Sequence, residues 1–368
     1  MEIYLVGGAV RDRLLGLAVK ERDWVVVGAT PEEMIAKGFL PVGKDFPVFL
    51  HPVTKEEYAL ARTERKVGRG YKGFIFYTDP KVGLLEDLKR RDLTINAIAE
   101  TKEGELIDPY HGLEDLKAGV LKHVSPAFAE DPVRILRLAR FAAKFPNFQI
   151  HPDTLSLIDQ IVAADEVSAL TPERVWQELR RSLEENQPIR FWEVLENTKV
   201  LPILFFPLQL NCHNKEAFLR AIVLSPLPEI RLAALFHQLT VAESEQLIKR
   251  YPFPKDFSSL FLLVNQFLDS FRNLFSFKAE EIWYLFKKAD AFRRPERFGA
   301  WLLACQACLT EGKIGLQKQE FLEQALVSVN EIRGEDFLNS NVSGKKLGEL
   351  IKYKQIEAIQ KVMDSVGN

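Results

Sequence analysis

The fold of the first part of the chain is decided by the stretch IYLVGGAVRDRLLG, residues 3–16. Its apolar start predicts a short strand, and the helical spacing from Val10 to Leu15 predicts a helix. The two glycines between them let the backbone approach a ligand closely, and the free N–H groups of a helix N-terminus favour an anion. Arg11 adds donors suited to phosphate oxygens. The alternative is a tight turn with an arginine on the surface.

A carboxylate pair follows this turn. Glu21 and Asp23 stand at the entrance of the β-branched run from Trp24 to Val27, and positions i and i+2 on a strand point to the same side. Two carboxylates at one spot repel each other unless a cation lies between them, and their hard oxygen donors suit Mg²⁺. The alternative is a pair of charges at a strand entrance. After a phosphate-type turn, the pair predicts metal-assisted phosphoryl or nucleotidyl transfer.

Strand and helix signals alternate in the first third of the chain. Apolar runs at 48–50, 58–61 and 73–77 predict strands, and Thr30-Pro31-Glu32-Glu33 predicts a helix start with an N-cap, a proline and early acids. From Asp131 onward, 3.6-residue spacing predicts helices and strand signals nearly vanish. The pattern predicts an α+β chain, with a small mixed sheet first and an all-α remainder.

Helix starts recur in this remainder. The segments 151–154, 171–174 and Ser225-Pro226 each combine a cap with a proline before an apolar periodic run. The Phe- and Leu-rich segment 253–277 predicts buried core. Two helical subdomains are expected to meet near Pro202 to Pro207.

Basic residues concentrate locally although the whole chain is balanced. The net charge of -2 argues against a protein that coats nucleic acid. Residues 62–91, however, hold nine Lys or Arg against four Asp or Glu, which favours contact with a polyphosphate or an RNA backbone. A solvated charged loop is the alternative. Within Arg90-Arg91-Asp92, the acid can hold one arginine in place. The main members of the cluster are Arg62, Arg65, Lys66, Arg69, Lys72, Lys89, Arg90 and Arg91.

Three further arginines recur every third residue of a predicted helix. Arg134, Arg137 and Arg140 follow the start Glu130-Asp131-Pro132 and fall on one helix face. Because like charges on one face repel each other, an anionic or hydrogen-bonding partner is expected. Asp131 and Arg134 together supply acceptors and donors able to read a nucleobase edge. A salt-bridge network between domains is the alternative.

Taken in this order, the motifs resemble those of class II tRNA nucleotidyltransferases, the bacterial CCA-adding enzymes of the polymerase β superfamily. The resemblance is dense over the first ~190 residues, where Asp108 to Gly112 is similar to the family's hinge and Thr171 to Arg174 to its neck-stabilising motif. It implies a polymerase β-like nucleotidyltransferase head over 1–125, a helical neck over 126–200 and a tRNA-binding helical body and tail over 201–368.

The resemblance also implies the site and its ligands. Glu21 and Asp23 would hold the catalytic Mg²⁺ ions, and Asp131 with Arg134 would read the incoming cytosine or adenine. The implied reaction is attack of the tRNA 3′-hydroxyl on the α-phosphorus of CTP or ATP, with release of pyrophosphate, repeated as C, C, A. The residues implied to bind the nucleotide are Gly8, Arg11, Arg91, Asp131, Arg134, Arg137 and Arg140.

Two departures from the family pattern stand out. The first carboxylate is Glu21 where the family usually has Asp, and the longer side chain can change rate or metal preference because Mg²⁺ demands near-octahedral geometry. Longer relatives append a phosphohydrolase that needs several His and Asp, including an adjacent His-Asp pair. Beyond residue 151 the chain has only His213 and His237, without that dipeptide. Phosphatase and phosphodiesterase activities are therefore expected to be absent.

Three other functions remain open at this point. Bacterial poly(A) polymerases share the head and neck motifs but add only A, and a partial enzyme would add only CC or only the terminal A. A non-catalytic tRNA-binding protein is a remote alternative from another class, in which the arginines serve tRNA alone.

The cellular location follows from composition. Three cysteines cannot build a disulfide framework, no signal peptide is evident, and no stretch reaches the ~18 apolar residues of a membrane helix. A cytoplasmic protein is expected. Cys305 and Cys308 lie in an apolar helical context and are expected to be core residues, because Cys212 and His213 are too far along the chain to complete a zinc site.

Overall fold

The chain forms two compact units, Met1–Phe206 and Pro207–Asn368, called here the first and the second unit. The structure, a computed structural model, describes residues 1–42, 48–66, 74–77, 79–337 and 343–366. The α+β class is confirmed, because strands concentrate in the first unit and helices build the second. The finer division at residues 125 and 200 stays a prediction. Among the helices in these ranges, none combines the length and apolar composition needed to cross a membrane.

The described strands of the first unit are β1 Glu2–Val6, β2 Asp23–Val27, β3 Leu40–Val42, β4 Val48–Leu50, β5 Glu57–Leu60, β6 Thr63–Lys66, β7 Phe74–Tyr77, β8 Ala99–Glu100, β9 Leu106–Ile107, β10 Val120–Leu121 and β11 Gln149–Ile150. Seven of them form one sheet in the order β3-β4-β5-β2-β1-β8-β9. The sheet is mixed, since β2 pairs in parallel with β5 and antiparallel with β1. The strand predicted at 48–50 is present, the one predicted at 58–61 is shifted by one residue to Glu57–Leu60, and the one predicted at 73–77 is present over its described residues, Phe74–Tyr77.

Both faces of this sheet are covered. Adjacent residues of a strand point to opposite faces, and Val25 and Val26 on β2 accordingly belong to different buried clusters. The cluster around Val25 includes Leu88, whereas the cluster around Val26 includes Met34 and Phe49. Burial on both faces explains why β2 reads as a continuous β-branched run rather than an alternating one.

The helices of the first unit are α1 Gly8–Leu14, α2 Pro31–Ala36, α3 Leu84–Lys89, α4 Gly112–Ala118, α5 Val133–Lys144, α6 Pro152–Ala163, α7 Pro172–Ser182, α8 Ile189–Asn197 and α9 Leu201–Phe205. The start predicted at Thr30 is confirmed, because Thr30 and Glu33 form a capping box with Pro31 behind the cap. Helix α5 packs against α7 and α8 and is buried on most of its surface.

The helices of the second unit are α10 Cys212–Leu224, α11 Pro228–Leu235, α12 Val241–Arg250, α13 Lys255–Arg272, α14 Ala279–Lys288, α15 Pro295–Ala307, α16 Gly312–Asn330 and α17 Lys345–Val366. Their core is aromatic: Phe271 meets Trp301 edge to face at 5.8 Å, and Phe286 meets Phe298 at 5.5 Å. The expectation that 253–277 is core is confirmed by α13, whose apolar face is buried.

One predicted helix start is wrong. Ser225-Pro226 was expected to open a helix, but Ser225 ends α10 and the next helix begins at Pro228 after Leu227. The sequence holds two prolines close together, Pro226 and Pro228, and either can occupy a first helical turn. The extended backbone of Leu227 selects the second.

Candidate active site

The turn between β1 and α1 forms the centre of the candidate site. Gly7 has a left-handed φ of 70°, which favours glycine. A Cβ added there would lie 2.9 Å from Nη1 of Arg91. Gly8 begins α1 directly after it. The backbone conformation therefore favours glycine at position 7, and a side chain there would displace the guanidinium of Arg91.

Asp23 lies beside this turn because of the strand register. Asp23 pairs with Val6, the last residue of β1 before the glycines. Glu21 precedes β2, so the argument that both carboxylates alternate along one strand is wrong. The two are nevertheless close, since the charge of Glu21 adds to the rise in the pKa of Asp23, which comes first from partial removal of its carboxylate from water. Arg91 and Arg137 oppose that rise.

This electrostatic balance suits a bound cation. The negative charge of Glu21 adds to the cost of ionising Asp23, and a metal ion between the two carboxylates would remove that cost. Mg²⁺ is held in phosphoryl-transfer sites by one or two carboxylates, with substrate phosphates and water completing its shell. Glu21 and Asp23 therefore fit the group. Within the described residues, no group of three or more His, Cys, Asp or Glu could hold a metal by itself.

Arg91 is held in place by a buried acid that sequence reasoning did not select. Asp87, fully buried, accepts hydrogen bonds from Nη2 of Arg91 at 3.3 Å and from Nη2 of Arg90 at 2.8 Å. Burial raises the pKa of Asp87, but the two arginines outweigh that effect and lower it. The expectation that Asp92 holds a neighbouring arginine is thus wrong. The acid sits one turn earlier on α3.

Asp92 instead reaches across to α5. Its carboxylate accepts from Nε of Arg137 at 2.7 Å, from Nδ2 of Asn96 at 3.0 Å and from the N–H of Leu93 at 2.8 Å. Burial alone would raise its pKa, yet these partners hold the pKa well below its usual range. Asp92 is therefore ionised and fixes Arg137, whose charge opposes the rise in the pKa of Asp23.

Arg11 is buried, with 4% of its surface exposed. Its guanidinium donates to Oδ1 of Asp12 at 2.8 Å and to Oδ1 of Asn96 at 2.5 Å. Burial lowers its pKa, against the raising effect of Asp12. The alternative of a surface arginine is therefore wrong. Since the described donors already have partners, direct binding of Arg11 to a triphosphate stays a prediction.

Arg137 and Arg140 find acidic partners within the chain. Nε of Arg140 donates to Glu178 on α7 at 2.7 Å, and Nη1 lies 3.4 Å from Glu185. Arg137 lies 4.0 Å from Glu178 in addition to its bond with Asp92. A salt-bridge network, the alternative considered from sequence, is present. Their repulsion therefore no longer requires an external anion, and their binding of a nucleotide stays a prediction.

Asp131 and Arg134 lie at the start of α5 with separate partners. Both carboxylate oxygens of Asp131 accept from Arg174, at 2.9 and 2.7 Å. Nη1 of Arg134 donates to the carbonyl of Ala127 at 2.7 Å. The Thr171 to Arg174 segment, which resembles a neck-stabilising motif, thus orients one of the two predicted base-reading residues.

The segment from Asp108 to Gly112 caps α4. The carboxylate of Asp108 accepts the N–H groups of Gly112 at 2.7 Å and of Leu113 at 2.8 Å. A Cβ on Gly112 would lie 2.2 Å from the carbonyl oxygen of Thr94, so no side chain fits there. Its role as a hinge stays a prediction.

Two further sequence predictions, the rest of the basic cluster of 62–91 and the pair of core cysteines, concern residues outside the arrangement described above. In the basic cluster of 62–91, Arg69 and Lys72 lie outside the described residues, as do the side chains of Arg65 and Lys66. Cys305 and Cys308 are buried, as expected of core residues. Burial raises the pKa of the Cys308 thiol to about 12.

Comparison with known proteins identifies the family of this chain. Residues 3–122 match the family described as the poly A polymerase head domain, and residues 147–211 match the family described as a probable RNA and SrmB-binding site of polymerase A. A CCA-adding enzyme of Coxiella burnetii is 50% identical, with 98% of this chain and 95% of the relative covered. The chain belongs to the CCA-adding enzyme family.

Other CCA-adding enzymes and related proteins extend the match. The CCA-adding enzyme of Pseudomonas putida is 44% identical with 98% of both chains covered, and a multifunctional CCA protein of Nitrosococcus oceani is 43% identical with 99% of both covered. A solved CCA-adding enzyme in complex with CTP has a TM-score of 0.75 at 25% identity, covering 99% of this chain and 90% of that one. Nucleotidyltransferases of this family use a divalent metal ion.

Proposed function

We propose that this protein adds and repairs the 3′-terminal CCA of tRNA from CTP and ATP, without a nucleic-acid template. The observation that carries the proposal is the register of β1 and β2, which brings Asp23 beside the Gly7 turn and Arg91. The relatives named above as CCA-adding enzymes support the substrate, and solved neighbours are complexed with CTP, ATP and tRNA.

The chemistry assigned to the site is a balanced transfer. The oxygen of the tRNA 3′-hydroxyl forms a bond to the α-phosphorus and loses its proton, while the bond from that phosphorus to the bridging oxygen breaks and pyrophosphate leaves. Glu21 and Asp23 would hold Mg²⁺. When bound, the ion neutralises charge on the phosphates and orients the reacting oxygens.

The chain's own residues bind and orient the nucleotide. Gly8 lets the backbone approach the triphosphate, and Arg91, held by Asp87, presents a partly exposed guanidinium at the same turn. Arg137 and Arg140 extend the positive charge along α5, and their acid partners keep them in fixed positions. Arg11 is proposed to complete this set from α1.

Base selection is proposed for Asp131 and Arg134. A carboxylate accepts and a guanidinium donates, which is the pattern needed to read the Watson–Crick edge of cytosine or adenine. The bidentate contact from Arg174 fixes the plane of the Asp131 carboxylate.

With residues 126–200 as a neck and 201–368 as a body and tail, the tRNA would bind mainly beyond the head. We propose that the protein is located in the cytoplasm, together with its tRNA substrate.

A product ladder tests this function. Transcripts of tRNA ending at the discriminator base, at C and at CC are incubated with Mg²⁺ and single labelled nucleotides. The first is expected to gain C only from CTP, and the last is expected to gain one A from ATP. Unlimited addition of A would instead establish the poly(A) polymerase alternative, which the description of the head family favours. Addition restricted to CC or to A would establish a partial enzyme.

A second measurement separates an enzyme from a non-catalytic tRNA-binding protein. Release of pyrophosphate from CTP is followed with and without tRNA and Mg²⁺. Release that requires both supports the enzyme, whereas tRNA binding without release contradicts it. Hydrolysis of 2′,3′-cyclic phosphates is expected to be absent with Mg²⁺ or Ni²⁺, and turnover by the pure protein would contradict that expectation.

A further inference from the structure

Three arginines converge on the ring of Phe141. The guanidinium carbons of Arg140, Arg11 and Arg137 lie 4.6, 5.0 and 5.9 Å from its centroid. All three distances fall within the ~6 Å over which the quadrupole of an aromatic ring attracts a cation. Phe141 itself is buried, with 4% of its surface exposed. The contacts with Arg11 and Arg140 therefore act largely away from bulk water, which strengthens the attraction.

The three arginines reach the ring from two helices. Arg137 is one helical turn before Phe141 on α5, so i,i+4 spacing explains that contact. Arg11 arrives from α1, and its guanidinium also lies 5.3 Å from the ring of Phe145. The contact with Phe141 thus joins the helix that follows the glycine turn to the helix that carries the other arginines.

Like charges gathered around one ring repel each other. Burial is the main cause that lowers the pKa of Arg11, and the charge of Arg140 lowers it further. The acids that pair with these arginines come from separate elements: Asp12 for Arg11, Asp92 for Arg137 and Glu178 for Arg140, with Glu178 also 4.0 Å from Arg137. The ring of Phe141 is a contact that all three share.

We propose that Phe141 is a positioning residue of the nucleotide site, whose π-electrons hold Arg11, Arg137 and Arg140 together as one cluster for the triphosphate of CTP or ATP. The inference rests on the proposed function, since it concerns the same site. A phenylalanine that only filled the core would act through its volume. The proposed role depends on the electron density of the ring, and the two effects can be separated experimentally.

The experiment replaces Phe141 in the full chain by mono-, di- and trifluorinated phenylalanine, which weaken the ring quadrupole stepwise with little change in shape. The readouts are the Kd for CTP by equilibrium dialysis with Mg²⁺, the KM and kcat for CTP incorporation, and Tm. Log Kd and log KM are expected to rise with each fluorine, to about tenfold for the trifluorinated ring. The kcat is expected to change little, and Tm is expected to fall less than it does in Phe141→Leu.

A matched control uses Phe191 on α8, which is fully buried and packs edge-on against Trp192 at 5.5 Å. The same fluorinated series at Phe191 is expected to leave Kd and KM unchanged. Phe141→Leu, which keeps an apolar side chain without a ring, is expected to raise Kd at least as much as the trifluorinated ring.

The outcomes separate this inference from the proposed function. A flat fluorinated series at Phe141, with Phe141→Leu alone weakening CTP binding, would overturn the inference in favour of simple packing. Equal slopes at Phe141 and Phe191 would overturn it as well. If the wild-type chain binds CTP but transfers nothing to tRNA, the proposed function fails, and the dialysis series still decides the role of Phe141. Failure of the wild-type chain to bind CTP overturns both.

Discussion

Buried polar groups are satisfied differently in the two units. In the first unit, buried Asp92 pairs with Arg137, which lies on another element of the chain. In the second unit, buried Lys318 donates to the carbonyl of Arg272 at the end of α13, and Nδ1 of His237 lies 2.8 Å from the carbonyl oxygen of Ala234 near the end of α11. The first arrangement fixes charged side chains relative to one another, whereas the second completes helix ends around an aromatic core.

The difference teaches where chemistry can reside. Buried ion pairs cost desolvation energy, and a well-packed apolar core often matches or exceeds their stability. The second unit is stabilised in that way, by a large apolar and aromatic core. The first unit keeps several arginines and acids beside the glycine turn, so its charges need a reason other than stability. A site for a polyanionic nucleotide and a cation supplies that reason.

The largest effect is expected from removing the carboxylate of Asp23, which pairs with the strand residue before the glycine turn. Asp23→Ala is expected to lower kcat/KM for CTP incorporation by about a thousandfold or more, because a metal ion contributes several kcal/mol to the transition state. Glu21→Asp is expected to retain or raise activity, since it keeps the charge. The measurement is labelled-CTP incorporation into tRNA that lacks CCA.

The control for this change is Asp159→Ala, which removes an exposed carboxylate on α6. It is expected to leave incorporation unchanged. Unchanged turnover in Glu21→Ala would contradict the assignment of Glu21 to the metal.

Breaking the ion pair between elements is the next test. Asp92→Ala is expected to lower the free energy of unfolding by about 3 kcal/mol, the lower end for a broken buried pair because the side chain of Arg137 is 35% exposed. Urea denaturation measures the change. Glu184→Gln, which removes the exposed partner of Arg180, is expected to cost less than about 1 kcal/mol. An equal loss of unfolding free energy in the two variants would contradict the expected difference between buried and surface ion pairs.

The same acid predicts a pH dependence. Because the folded chain lowers the pKa of Asp92, its contribution to stability is present above the unfolded pKa of about 4 and is lost as pH falls through the lower folded pKa. This titration covers roughly pH 5 to 2. As the pH falls through that range, Asp92→Asn is expected to lose less stability than the wild type. Parallel acid curves for the two proteins would show that another group dominates.

Glycine substitutions compare the packing of the two units. Gly112→Ala is expected to destabilise the chain by about 2–3 kcal/mol, since its Cβ would lie 2.2 Å from the Thr94 carbonyl oxygen. Gly299→Ala, within α15, meets no atom within 4 Å and is expected to stabilise it by about 0.5–1 kcal/mol. Thermal unfolding of both variants checks the signs, and a shift of the same sign in both would contradict the difference.

The smallest effect concerns thiol reactivity in the second unit. At neutral pH, iodoacetamide is expected to modify exposed Cys212 and to spare Cys305 and Cys308 until the chain unfolds. Burial raises the pKa of both spared thiols, which keeps them in the unreactive protonated form. Mass spectrometry of tryptic peptides locates the label. Rapid labelling of Cys308 in the native protein would contradict the packed core.

Sequence by itself determined the secondary structure and the chemical inventory. The β-branched run of β2, the capping box at Thr30 and the helical spacing of α5 depend on neighbours a few residues away, so they could be read directly. The glycine turn and the carboxylates near it were predictable for the same reason. Where two equivalent local signals competed, as at Pro226 and Pro228, the sequence could not choose between them.

Only the tertiary structure decided which charges meet. Asp92 was expected to serve a neighbouring arginine but reaches Arg137, and Asp87 takes its place beside Arg91. Glu178 and Phe141, which join the α5 arginines to each other and to the rest of the unit, carried no local signal. The physical reason is that periodicity records which face of an element is buried, whereas ion pairs and ring contacts depend on how distant elements pack. That packing is a property of the whole fold.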